Sequence, residues 1–153
     1  MATYTATASQ TNASGFFLNP PRYIENGVVS RSAGFTFTTS ASSGDVVQMI
    51  PIPKGAQVVD VILAVGGMAA GSNVAFTVGD GNLTSRYVAS ASAAAGIAGG
   101  VIIRANNALG TGYSYSADDT IDVIPGTVGS MSGQMALRLT VLYQFDNATD
   151  GNG

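Results

Sequence analysis

The chain has 153 residues, 46% of them hydrophobic and only 10% charged, with 20 glycines, no cysteine, no histidine and a formal net charge of −3. A length of this order fits one domain that buries roughly 70% of its unfolded surface, so a core without staples is sufficient. The composition excludes disulfides, thiolate chemistry, histidine bases and cysteine- or histidine-ligated metal, and its six basic residues are scattered without a stripe, which argues against nucleic acid as a partner.

A surface built from Ser, Thr, Ala, Gly and Asn rather than ions suits a protein that works against other protein, and it also occurs in secreted β-proteins. Met1 to Asn19 has neither a basic n-region nor a continuous apolar h-region, so it is not expected to act as a secretory signal. No run approaches the ~18 apolar residues of a membrane span, so no membrane contact is expected.

Ala2 to Ser14 alternates small and hydroxylated side chains with one aromatic, Tyr4. Residues 1–19 therefore read as an extended N-terminal arm, either a frayed terminus or a strand that orders only against a partner. Phe16-Phe17-Leu18-Asn19-Pro20-Pro21-Arg22-Tyr23-Ile24 follows, bulky groups flanking a Pro-Pro that holds the chain extended. Tyr4, Phe16 and Phe17 are the candidate anchors of the arm on a neighbouring subunit; for the Phe16 segment an ordinary edge strand over the core is the other reading. The β-domain is expected over 20–146 and a solvated tail over 147–153.

Val46 to Val65 is two apolar, β-branched runs hinged at Pro51-Ile52-Pro53-Lys54-Gly55. The prolines lack the N–H a central ladder needs, so the first run must end or lie at an edge near Pro51, and Gly55 turns the chain. The second run, apolar at almost every position from Val58 to Val65, looks like a strand covered on both faces. Asp60 interrupts it. If that face is buried between subunits, the carboxylate needs a partner, and Arg86, Arg104 and Arg138 are available, which makes Asp60 a candidate interface residue.

Period-two alternation then marks strand after strand: Phe35 with Phe37, Val74 with Phe76 and Val78, Ile121 with Val123, and a long central strand from Met135 to Phe145. The expected core is Phe35, Phe37, Val59, Val61, Leu63, Phe76, Val78, Ile121, Val123, Leu139, Val141 and Tyr143. Gly66-Gly67, Gly79-Asp80-Gly81-Asn82, Asn106-Asn107, Asp118-Asp119 and Pro125-Gly126 read as turns, with Asp80-Gly81 a hairpin candidate. Ala89 to Ala98 is rich in alanine but has no large apolar stripe to dock, so it reads as a long loop with at most one helical turn. Eight or so short strands and no firm helix make the chain all-β, a single-domain sandwich or barrel.

No catalytic, cofactor or metal residues are expected. Asp118, Asp119 and Asp122 are the one carboxylate cluster, and carboxylates at the start of a strand commonly bond the backbone of a turn. Asp146 to Asn152 lacks the spacing and closing glutamate of a calcium loop, and Gly79-x-Gly81 leads into another β-pattern, not into a helix that could cradle phosphate.

Ile50-Pro51-Ile52-Pro53-Lys54-Gly55-Ala56-Gln57-Val58-Val59-Asp60-Val61, then Phe76-Thr77-Val78-Gly79-Asp80-Gly81 with Arg86-Tyr87-Val88, Tyr113-Ser114-Tyr115 with Asp119 to Val123, and Leu137 to Tyr143, resemble the head decoration, or cement, proteins of tailed bacteriophages. The resemblance covers Val46 to Phe145. It implies a jelly-roll β-sandwich without enzymatic activity, made in the host cytoplasm and carried on the capsid exterior. Its implied partners are the major capsid protein and itself, as a homotrimer. A tail or fibre subunit and a carbohydrate-binding or adhesive sandwich are the alternatives; sugar-binding modules usually present aromatic platforms, and here Tyr113 and Tyr115 form the one tidy pair.

Overall fold

The computed structural model describes residues 1, 3–5, 7–8, 27–38, 42–67, 73–94, 100–128 and 134–145. Among them the chain forms ten strands: β1 (Thr3–Thr5), β2 (Thr7–Ala8), β3 (Val29–Phe37), β4 (Val46–Ile52), β5 (Ala56–Gly66), β6 (Asn73–Gly79), β7 (Val88–Ala94), β8 (Val101–Arg104), β9 (Asp119–Val128) and β10 (Met135–Phe145). Two five-stranded sheets result, ordered β1-β4-β9-β6-β7 and β2-β3-β10-β5-β8. From β3 onward the strands pair as one long hairpin wrapped on itself: β3 with β10, β4 with β9, β5 with β8 and β6 with β7, all antiparallel. Wrapping then lays β5 beside β10 and β6 beside β9. This is a jelly roll, and the all-β sandwich expected from the alternation is what forms.

The core lies between the sheets. Strand β10 carries it most clearly: Met135, Leu137, Leu139, Val141 and Tyr143 are buried, while Ala136 and Arg138 face out. Each such side chain contributes about 1.5–3 kcal/mol by leaving water. Ten of the twelve expected core residues are buried; Phe35 is half-buried against the core and Val59 is not in it. The register of β10 on β5 slips between Leu142, opposite Asp60, and Tyr143, opposite Val58. Val59 is the bulged residue, and a one-residue slip sends it to the surface and Val58 into the core.

Two local expectations are corrected. The alanine-rich segment is strand β7 through Ala94, because the edge of β6 offers it a ladder, overriding weak intrinsic preference; its residues 95–98 lie outside the described residues. Pro125-Gly126 is not a turn but lies within β9, where β4 has already ended its pairing at Val47–Val123, so the missing proline N–H leaves no ladder bond unmade on that side. Pro51 obeys the same rule: β1 pairs with Val46–Gln48, and beyond it no strand among the described residues lies along that side of β4.

Candidate interaction surface

At one end of the sandwich the β6–β7 loop and the chain following β8 form a buried polar cluster. Strand β6 stops at Gly79, where a Cβ would stand 2.1 Å from the Leu83 carbonyl oxygen, so only glycine permits the chain to fold back. Asp80, next in line and buried, accepts the Asn82 and Leu83 amides on Oδ1 at 3.1 and 2.8 Å. Arg86 donates through Nε to Asp80 Oδ2 and through Nη2 to Oδ1, and its guanidinium lies 3.6 Å above the Tyr113 ring. The Tyr115 hydroxyl donates to Asp80 Oδ2 at 3.0 Å and sits 2.7 Å from the Tyr87 hydroxyl, which therefore donates to it. The amides of Asn106 and Asn107 both donate to the Tyr87 carbonyl, and Asn107 Nδ2 to that of Ser85. Gly110 packs so closely on Tyr87 that a Cβ would be 2.5 Å from its ring.

Charge follows from this geometry. Burial pushes the Asp80 carboxyl up, but hydrogen bonds from Arg86, the Leu83 amide and Tyr115, with the Arg86 charge, reverse it, and the group ends below the ordinary carboxylate range. Burial lowers Arg86 while the Asp80 hydrogen bond and charge raise it, with a net rise. Both Tyr87 and Tyr115 are raised, burial being the main cause. Asp80 is thus a fixed anion with its acceptors in use, suited to holding loops together and unsuited to moving protons. Nearby, Asp122 is buried on β9 and accepts the Thr120 hydroxyl at 2.7 Å; burial first, then the charges of Asp119 and Asp80, push it up to about 6. Asp118 and Asp119 do bond backbone amides, of Lys54 and Thr120. Among the described residues no group of three His, Cys, Asp or Glu is placed to hold a metal.

The outer face of the β2-β3-β10-β5-β8 sheet is the broad weakly charged surface. In register across β3, β10 and β5 it presents Ser32, Thr140 and Ile62, then Gly34, Arg138 and Ala64, and then Thr36, Ala136 and Gly66, with Ile102 of β8 beside Ala64 and 71% exposed. Asp60 lies on this face and pairs with Arg104, Nη1 to Oδ2 at 3.1 Å, while its Oδ1 accepts the Val61 amide. With side chains 69% and 29% exposed, that pair contributes roughly 0–1 kcal/mol. Of the three arginines open to Asp60, β8 brings Arg104; Arg86 belongs to Asp80, and Arg138 stands between Gly34 and Ala64.

Tyr4 packs on its own chain, its ring centroid 5.4 Å from Phe35 and 5.6 Å from Phe37. Residues 3–5 and 7–8 of the expected arm are strands of the sandwich, β1 parallel on β4 and β2 antiparallel on β3. Phe16 and Phe17 lie outside the described residues. Sequence reasoning missed the Asp80 cluster: it saw a turn at Asp80-Gly81 and an aromatic pair at Tyr113 and Tyr115. The rings do form an edge-to-face pair with centroids 5.1 Å apart.

No protein-family model and no curated protein sequence matches the chain. Solved structures that share its fold include chains from three phage capsids. A chain of the cyanophage Pam1 capsid asymmetric unit superposes with a TM-score of 0.66 at 19% identity, over 90% of this chain and 99% of that one. A chain of the capsid of Ralstonia phage GP4 gives 0.66 at 17% identity, over 95% and 99%. A chain of the acid-stable capsid of Helicobacter pylori bacteriophage KHP30 gives 0.53 at 16%, over 77% and 92%. At these identities the likeness is one of fold: this jelly roll is a fold found in the capsids of phages.

Proposed function

We propose that the chain is a non-enzymatic structural protein of a phage virion that decorates the capsid exterior, binds the major capsid protein and clamps its subunits, acting as a homotrimer. The observation that carries this reading is the extent of the likeness. Two chains from phage capsids are covered over 99% of their length, so each is little more than this one sandwich, and the same small unit serves as a capsid component there. The outer face from β3 to β8 supports it, being rich in small residues with few charges, the character of a surface that meets protein. Repetition of a modest contact by symmetry gives avidity without one strong site.

The sugar-binding alternative loses support from the Asp80 cluster. Tyr115 is buried and the Tyr113 ring is covered by the Arg86 guanidinium, so the aromatic pair offers no open platform. Two measurements test the decoration reading. Quantitative mass spectrometry of purified virions should find this chain in copies comparable to the major capsid protein; far fewer copies would assign it to the tail or fibre. Particles lacking it should lose genome at lower temperature than complete ones, and regain stability when the purified protein is added back.

A further inference from the structure

We propose that Thr3–Ala8 is an exchanged segment: in the assembled protein it occupies the β4 and β3 edges of a neighbouring copy, with Tyr4 seated on that copy's Phe35 and Phe37. The inference rests on the self-association proposed above and names the segment that carries it. In a single chain β1 contributes three residues and β2 two, yet they cover an edge strand in each sheet, β4 and β3. The acceptor groove belongs to the body of the fold: the β4 backbone at Val46–Gln48, the β3 backbone at Ala33 and Gly34, and the two phenylalanine rings. The donor is Thr and Ala around one aromatic anchor. Ordering its five paired residues costs about 1–2 kcal/mol each, against a few ladder bonds and one half-buried ring. Such a segment leaves its groove readily.

The connection supplies the reach. Ala8 lies opposite Ala33, and β2 runs antiparallel to β3, so a return within the same subunit needs about six extended residues to reach the level of Gly27 and a hairpin loop of about 2–5. Instead 18 residues separate Ala8 from Gly27. From the level of Ala33 back to Gly27 the chain covers only about 20 Å at ~3.3 Å per residue. Eighteen extended residues span up to about 60 Å, more than the roughly 40 Å width of a fold whose radius of gyration is about 15 Å. The groove, its contacts and its register are the same whether the segment comes from its own chain or the next, so exchange loses no contact and gains a covalent tie between copies.

The chain has no cysteine, which makes the test clean. Thr3 and Val46 are Cα partners, and since Tyr4 and Val47 turn inward, Thr3 and Val46 project outward, Thr3 exposed and Val46 half-buried. The Thr3→Cys/Val46→Cys variant is oxidised and run on a non-reducing denaturing gel, with light scattering giving the mass of wild type in solution. Exchange predicts loss of most of the single-chain band into covalently linked multimers matching the native oligomer. Wild type that is a monomer overturns self-association and exchange together. An oligomer whose variant runs only as internally bridged single chains overturns exchange alone and leaves self-association standing. As a second measurement, Thr3→Cys and Val46→Cys single variants of different mass are co-expressed. Peptide mapping should find the 3–46 bridge between unlike chains, and its absence from an assembled, oxidised sample overturns the proposal.

Discussion

The two sides of the sandwich are closed by opposite means. On the β1/β2 side, a short run of Thr and Ala passes from one sheet to the other with a single ring, Tyr4, tucked against Phe35 and Phe37. On the β7/β8 side, a buried ion pair, two tyrosine hydroxyls and two glycine close approaches bind the β6–β7 loop to the chain after β8. The first closure has little to lose by opening. In the second, opening one contact strands a buried charge. Permanence and exchangeability can thus be built into opposite flanks of one small fold.

The comparison breaks most visibly at Asp80. Asp80→Ala leaves Arg86 buried without its carboxylate, and urea denaturation should show a loss of about 3–5 kcal/mol; an Asp80→Leu/Arg86→Met double variant, which removes both charges, should recover much of it. Because the folded pKa of Asp80 is depressed, its contribution is present above the ordinary carboxylate range and is lost as pH falls through the folded value. Stability of wild type should therefore drop in acid, with the drop reduced in the double variant.

Tyr115→Phe removes the donor to Asp80 and the acceptor of Tyr87 in one step. A loss of about 1–3 kcal/mol is expected, with hydrogen exchange quickening in the 79–87 and 105–115 segments together and not in β1. If the two segments loosen separately, they are not one unit.

Asp122 sharpens the contrast by changing sign. Its folded pKa is raised, so the stability it contributes is full below about 4 and is lost as pH rises through about 6. Asp122→Asn should accordingly be neutral at pH 4 and more stable than wild type by about 1–2 kcal/mol at pH 7.5, solvent screening keeping the gain below the full shift. Thermal melts at the two pH values measure this.

The smallest effect on global stability belongs to the other flank. Tyr4→Ala should cost about 1 kcal/mol or less in global unfolding, since the ring is half-buried and the strands it anchors are short. Amides of β1 should exchange much faster in that variant while those of β10 stay protected.

Much of the fold was legible in alternation. Apolar residues two apart in Val74–Val78, Ile121–Val123 and Met135–Tyr143 commit each run to a half-buried strand whatever its neighbours, and Pro51 marks an edge because a missing N–H is a local fact. Val59 was misread because a bulge is set by how β10 registers against β5, with Leu142 opposite Asp60 and Tyr143 opposite Val58, far apart in the chain. The alanine run was misread because nothing local distinguishes a loop from a strand whose ladder is offered by β6. The Asp80 cluster needed the fold as well: Asp80, Arg86 and Tyr87 stand close in sequence, but Tyr113 and Tyr115 reach them only after β7 and β8 have carried the chain across to the other sheet, where Ser114 bridges Gln57 of β5. The strand class, the edge at Pro51 and a composition poor in charge could be read from the sequence, each a property of residues within a few positions. Strand order, the bulge, the pairing of Asp60 with Arg104 and the burial of the ion pair were decided by tertiary structure, because each depends on groups that are distant in the chain and become neighbours only when the roll closes.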